Sequence, residues 1–321
     1  MKVLVTGAGG FIGATLMQLL QQVGQIGAQR ITQLAAMDRH LPPTSADIVR
    51  IEGELQDAAV LERISRFGAD LCFHLAAVPG GAAEADPALS RRVNLEATLD
   101  LFEVLATRPA AGAAPVVVYA STIAVYGTPL PDPVTPSTPA QPALVYGAHK
   151  RACEILLADA TRRGQLDGRS LRLPGIVARP RAASGLVSAF MSELLHALAA
   201  GAPVTLPVGP QATAWWMSAQ CCAGNLLHAA TMDPALDTEG HRERCWALPV
   251  LRLSMGELVD TLSTLYGVDG HALVRYAPQE GVEAIFGRYP VLDDCRARQL
   301  GLKDDGDAKT LVRRALAPYA L

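Results

Sequence analysis

Short apolar runs alternate with longer amphipathic stretches through the first half of the chain. "KVLVT" (2–6) is a continuous apolar run closed by a threonine and then glycines, the pattern of a strand buried on both faces. "FIGATLMQLLQQ" (11–22) sets Leu16, Leu19 and Leu20 on the inner side of a helix. The pattern then predicts a strand at 31–38, a helix at 58–67, a strand at 71–77 and a long helix over 87–107. A strand at 115–121, a helix opening at "VYGAHK" and a strand at 169–177 follow. Strands separated by helices of this length require right-handed crossovers, so the expected class is α/β, a doubly wound parallel sheet covered on both faces.

Beyond residue 178 the rhythm breaks. Loops bearing proline and glycine separate helices expected at 186–200, 219–231 and 254–266. The organisation this predicts is a sheet domain over 1–177 and a smaller substrate-binding lobe over 178–321, partly interleaved with it. The proline-rich stretch 129–142 reads as a stiff loop beside the site, since each proline restricts its own backbone and that of its predecessor.

Composition narrows the function classes. Of 321 residues, 50% are hydrophobic and 18% charged, as in an ordinary globular enzyme. A net charge of −3 with no Lys/Arg block offers no track for nucleic acid. No apolar run approaches the ~18 residues of a membrane span, and the apolar start is better read as a strand than as a signal peptide. The six cysteines form neither a CxxC pair nor a Cys/His cluster, so reduced thiols in a cytoplasm are expected, with no metal.

Candidate chemistry begins at "VTGAGGFIGATL". Gly7, Gly10 and Gly13 lie between the first strand and first helix, where glycines permit a tight turn, close approach of a pyrophosphate and close helix packing. The helix start then offers bare N–H groups and a positive dipole end to phosphate. Asp38, at the end of the second strand, can accept from both ribose hydroxyls and repel a 2′-phosphate, which favours NAD over NADP; the plainer alternative is a solvated strand-end acid. "VVVYAST" brings Ser121 and Thr122 to the carboxyl end of a strand. Tyr146 and Lys150 open the next helix four residues apart, hence on one face. A phenol titrates near 10 in water, so it becomes a base only where positive charge favours phenolate. With an ammonium and an oxidised nicotinamide nearby, Tyr146 can take the proton of a substrate hydroxyl, with Thr122 holding the same oxygen. His74 on a buried strand reads as a satisfied core group.

These segments, with "HLAA" (74–77), "VN" (93–94), "STIAVYG" (121–127) and "YGAHK" (146–150), resemble the extended short-chain dehydrogenases/reductases, the NAD-dependent epimerase/dehydratase group, in family order. The resemblance implies a Rossmann sheet, NAD as cofactor and Thr122, Tyr146 and Lys150 as the catalytic set. It implies cofactor contacts from Gly7, Gly10, Phe11, Ile12, Gly13 and Asp38, and from Glu54 and Leu55 near the adenine. Leu75, Ala76, Ala77, Asn94, Pro174, Ile176 and Val177 would complete the cofactor wall, with Tyr146 and Lys150 at the nicotinamide ribose. Glu54 departs from the aspartate usual at that position. It also implies a homodimer through a four-helix bundle of the helices near 87–107 and 146–164.

On the substrate side, "STIAVYGTPLPDPVTP", "DGRSLRLPGIVARPRAASG" and "IFGRYPVLDDCRARQLGL" resemble the D-erythronate dehydrogenase-like branch. That implies oxidation of a small hydroxy acid at the carbon beside its carboxylate. Ser121, Thr122, Arg179, Arg181 and Trp216 are the candidate substrate residues, the arginines because guanidinium binds carboxylate bidentately. Arg179 reads equally well as a structural ion-pair residue. Ala214 stands where sugar-nucleotide members carry an arginine, which makes an epimerase or dehydratase the alternative. Trp215 and Trp216 keep a less polar aromatic alcohol in view.

Overall fold

A computed structural model describes residues 1–107, 113–181, 188–237 and 243–319. At its centre is a seven-stranded sheet, parallel at every pairing. Its order is Cys245–Ala247, Asp167–Leu173, Val116–Thr122, Leu71–His74, Lys2–Thr6, Gln33–Asp38, Ile48–Glu52. From Lys2–Thr6 the chain steps outward to Ile48–Glu52, then returns to the other side at Leu71–His74. The loops leaving these two neighbouring strands therefore diverge, and a crevice opens at their carboxyl ends.

Strand alternation sorts the two faces. Val3, Val5, Phe73 and Val118 pack with Leu16, Leu20, Cys222 and Leu226 of helices Phe11–Val23 and Ala219–Ala229. Leu4, Cys72, Val117 and Tyr119 face Ile64, Leu101, Cys153 and Leu157 of helices Ala58–Phe67, Ala97–Ala106 and Val145–Arg162. In the first helix Met17 is buried alongside Leu16 and Leu20, whereas Leu19 lies only partly buried at the rim. Each fully buried side chain of this kind contributes about 1.5–3 kcal/mol. The helix over 58–67 has the expected bounds because its apolar positions Val60, Ile64 and Phe67 share one face, and Gly68 ends it in a left-handed cap with φ 65°.

The structure departs from the expected elements at several places. The strand over 71–77 ends at His74, and Leu75 to Val78 run on as a loop. The long helix over 87–107 is interrupted by a π-helical turn at Arg91–Glu96, which turns Asn94 inward. The strand over 169–177 divides at Pro174, which has no N–H for a ladder. Asp167–Leu173 stays in the main sheet, and Gly175–Val177 joins a second, three-stranded sheet with Thr213–Ser218 and Leu251–Ser254. The edge strand Ile48–Glu52 was not anticipated at all. The helix expected over 186–200 is Ala189–Ala199, with residues 186 and 187 outside the described residues.

Residues beyond 177 build a second core around Phe190, Leu194, Leu198, Trp216, Leu258 and Leu311. They also return to the first: Ala219–Ala229 covers one sheet face, and Cys245–Ala247 is the sheet's edge strand. Among the described residues no helix is long and apolar enough to cross a membrane. Trp216 is fully buried and donates its indole N–H to the Leu253 carbonyl at 3.0 Å. Trp216→Ala should therefore cost roughly 3–5 kcal/mol in urea-induced unfolding, the range for large aromatic truncations in cores; a cost below about 1 kcal/mol would show that this position is not core.

Candidate active site

The glycine turn is built by exclusion of side chains. A Cβ on Gly13 would lie 2.0 Å from the Gly7 carbonyl oxygen, and one on Gly7 would lie 2.6 Å from the Ala76 backbone nitrogen. Gly7 also takes φ 72°, the left-handed region. Helix Phe11–Val23 begins here with no side-chain cap and no acid in its first turn. The N–H groups of Phe11, Ile12 and Gly13 are thus uncapped by any side chain among the described residues, beside a turn too tight for a Cβ at Gly7 or Gly13, a donor set suited to a pyrophosphate. At the next strand end, Asp38 accepts from Gly9 N at 3.0 Å and from Arg39 N at 2.7 Å, which fixes its carboxylate at the rim of the cradle. The Asp38 carbonyl accepts from Gly53 N at 3.1 Å, drawing the Gly53–Leu55 turn alongside. There Leu55 is buried and Glu54 faces Arg39 at 3.7 Å.

The opposite wall is Leu75 to Val78. Leu75 N donates to the Thr6 carbonyl at 3.1 Å, and Asn94 grips Val78 from both sides, accepting from its N–H at 2.7 Å and donating to its carbonyl at 2.9 Å. His74 is a core group, held between Thr6 Oγ1 at 2.6 Å and Thr98 Oγ1 at 2.9 Å. Because Thr98 donates to the Asn94 carbonyl, its oxygen accepts from His74 Nε2–H, and Nδ1 accepts from Thr6. Burial, with the Lys150 charge, pushes this imidazole down to about 3, so it stays neutral.

Tyr146 and Lys150 occupy the first turns of Val145–Arg162. Glu84 accepts from Tyr146 N at 3.3 Å and so caps this helix, and Gly80 lies beside the Tyr146 ring, where a Cβ would make ordinary contact at 3.8 Å. Lys150 is 2% exposed; its ammonium donates to the Ala120 carbonyl at 2.8 Å and lies 5.8 Å from the Tyr146 ring centre. Burial pulls the Lys150 ammonium down to about 8. Burial pushes the Tyr146 phenol up to about 12, against the Arg179 charge, which pulls it down. Thr122 ends its strand with its hydroxyl oxygen accepting from Ala124 N at 3.2 Å, which leaves its own proton free to donate.

The predicted substrate residues divide sharply. Thr122 stays at the strand end, but Ser121, one residue earlier, points to the other face, where its hydroxyl donates to Glu154. Arg179 sits beside Tyr146 and 5.9 Å from the Phe11 ring centre, and its guanidinium has no hydrogen-bond or ion-pair partner among the described residues. Arg181 is instead exposed and bidentate on Glu193, at 2.8 and 3.1 Å. Trp216 is core and lines nothing; the expectation overlooked that an apolar strand residue of alternate parity faces the second core. Pro174, Ile176 and Val177 are buried, so their segment can offer a cofactor backbone groups rather than side chains. Sequence reasoning missed Glu84, Gly80 and Glu154. Of these only Glu154 had a signal, its spacing of four from Lys150 on one helix face.

A Rossmann crevice, an uncapped glycine turn and a Tyr/Lys helix define an NAD-dependent enzyme of the short-chain dehydrogenase/reductase type. Residues 3–230 match the NAD dependent epimerase/dehydratase family, and the chain belongs to it. D-erythronate dehydrogenase of Cupriavidus necator is 34% identical over 98% of this chain and 97% of its own. D-erythronate dehydrogenase of Haemophilus influenzae is 29% identical over 98% of each. The crystal structure of a nucleoside-diphosphate-sugar epimerase from Agrobacterium tumefaciens superposes with a TM-score of 0.90 at 31% identity, covering 99% of this chain and 94% of the other.

Gly13→Ala should lower NAD affinity at least about 10-fold in a fluorescence titration, because the turn must open to admit the methyl group and the first-turn N–H groups lose their aim. Unchanged affinity would remove this turn from the cofactor site.

Proposed function

We propose that the protein is an NAD-dependent dehydrogenase of a small 2-hydroxy acid, with D-erythronate the first substrate to test. One observation carries the reading: Arg179 is a half-buried cation beside Tyr146 and the Phe11 ring whose guanidinium has no hydrogen-bond or ion-pair partner among the described residues. A guanidinium so placed suits a substrate carboxylate, which it can hold bidentately. The two near-full-length relatives named D-erythronate dehydrogenase support that choice.

In this reading NAD, when bound, supplies the hydride acceptor and a positive ring. Tyr146 as phenolate takes the proton of the hydroxyl beside the carboxylate. Thr122 donates its free proton to that same oxygen and steadies it as the carbonyl forms. Lys150, fixed by the Ala120 carbonyl, favours the phenolate. Arg179 orients the acid. Before the cofactor binds, burial holds the phenol at about 12 even with the Arg179 charge beside it, so it keeps its proton at neutral pH. Oxidation should therefore quicken as pH rises through the range in which the loaded site gives up this proton.

Residues 1–177 serve the cofactor in this proposal, and 178–321, beginning with Arg179, serve the substrate, in a cytoplasmic enzyme. The sugar-nucleotide alternative draws on the Agrobacterium likeness, but Ala214, where an arginine clamp would stand, is buried in the second core. The aromatic-alcohol alternative loses its basis, since Trp215 and Trp216 are 1% and 0% exposed.

NADH formation should appear with four- to six-carbon 2-hydroxy acids. Tyr146→Phe should reduce it by roughly 10²- to 10⁴-fold while sparing NAD binding. Arg179→Met should raise KM for the acid about 10- to 100-fold, the worth of a charged hydrogen-bonded contact. Lost NAD affinity in that variant would reassign Arg179 to the pyrophosphate beside Phe11. Substrate turnover without net NADH would instead mark an epimerase.

The homodimer belongs to the same proposal. Ile155 and Leu156, midway along the catalytic helix, are 53% and 42% exposed, an apolar patch suited to a second copy of that helix. Ile155→Asp should convert a dimer to a monomer in light scattering; an unchanged mass would place the interface elsewhere.

A further inference from the structure

Below the reacting groups lies a buried polar cluster that the chemistry above does not use. Glu154 is completely buried, and its carboxylate is saturated by four donors. Oε1 accepts from Ser121 Oγ at 2.5 Å and Arg172 Nε at 3.0 Å; Oε2 accepts from Arg172 Nη2 at 2.8 Å and Arg151 Nη1 at 3.0 Å. Arg172 extends the cluster by donating from Nη1 to the Tyr126 hydroxyl at 3.1 Å, with its guanidinium 4.9 Å from that ring's centre. Ser121 and Arg172 are direct partners across neighbouring parallel strands, so both reach the same helix side. Burial works to raise the Glu154 carboxyl, but Arg172, then Ser121 and Arg151, override it and hold the group below the usual range.

The positions of these partners matter more than their number. Ser121 immediately precedes Thr122, and Tyr126 closes the 3₁₀ turn Ile123–Tyr126 that immediately follows it. The first connection ends directly on the Glu154 carboxylate, and the second reaches it through Arg172. That carboxylate lies four residues beyond Lys150 and eight beyond Tyr146 on a single helix, about one and two turns along. A buried ion pair is a poor device for stability alone, because apolar residues of similar volume fill such space as well or better. A fully satisfied polar cluster supplies a single fixed arrangement.

We infer that Glu154 is a positioning residue of this active site, tying the strand end that presents Thr122 to the helix that presents Tyr146 and Lys150. The inference rests on the roles proposed for those three residues. Its reach is geometric: misplacement of a reacting group by about 1 Å can cost on the order of 10²-fold in rate.

The test avoids Glu154 itself, whose loss would strand Arg172 in the core. Ser121→Ala and Tyr126→Phe each cut one connection and leave the ion pair whole. Each should lower kcat about 10-fold with the best acid of the panel, while NAD affinity changes less than about 2-fold. Ser121→Thr, which restores a hydroxyl, should recover most of the loss, as a simple packing role would not allow. The double variant should lose less than the product of the two, since both act through one carboxylate. Unchanged kcat in both single variants, or a loss that Ser121→Thr does not recover, would overturn the inference. NAD-bound crystals of the same variants need no substrate: Thr122 and the turn after it should shift while Tyr146 and Lys150 stay. An unmoved Thr122 counts against the brace. Full activity in Tyr146→Phe counts against the proposed base instead.

Discussion

The structure depends first on a contact between two backbones. Gly13 rests on the Gly7 carbonyl, and Gly7 on the nitrogen of Ala76, each at a distance that leaves no room for a side chain. The first of these starts helix Phe11–Val23 directly off the first strand with its N–H groups bare. The second joins the loop of the innermost strand to the loop of its neighbour across the point where strand order reverses. Cofactor cradle and site wall are therefore one piece of backbone. Asn94 extends that piece by fixing Val78, and the π-helical turn of Arg91–Glu96 is what lets Asn94 point there.

Burial sets the electrostatic problem that the site then has to solve. It raises the Tyr146 phenol and lowers the Lys150 ammonium, so it opposes the charged form of both. The Ala120 carbonyl gives Lys150 one acceptor, and Arg179 gives Tyr146 a nearby positive charge. In the proposed reaction a positive cofactor ring would favour phenolate, and a bound carboxylate would answer Arg179, which has no ion-pair partner among the described residues. His74 shows the contrary arrangement, a buried titratable ring with both nitrogens satisfied.

Much of this was legible in the residues, and the failures have physical causes. Apolar spacing located the helices because a helical face needs ten or more residues to bury itself, and Val60, Ile64 and Phe67 leave little choice. The glycine turn and the Tyr146/Lys150 pair were legible because both chemistries require particular residue types at fixed spacing. Ile48–Glu52 escaped notice because an edge strand of five residues carries hardly any periodic signal. Ser121 and Thr122 look alike in sequence; only strand parity sends one to the helix and the other to the site. Arg179 and Arg181 differ only in whether Glu193, a helix away, comes within reach. Trp216 lined no pocket because the second sheet, assembled from three distant segments, turned it inward.

The edge strand Cys245–Ala247 has a consequence for how the chain comes to be made. It pairs with Asp167–Leu173, and Leu248 N donates to the Arg172 carbonyl at 3.1 Å. The strand next to Val116–Thr122 thus keeps a bare edge until roughly three quarters of the chain has been synthesised. During that interval the first 173 residues hold most of the candidate cofactor site beside an unpaired β-edge, a surface open to pairing with another chain. Arrival of Cys245–Ala247 then replaces a seven-residue open edge with one of three residues, a much poorer template for another chain.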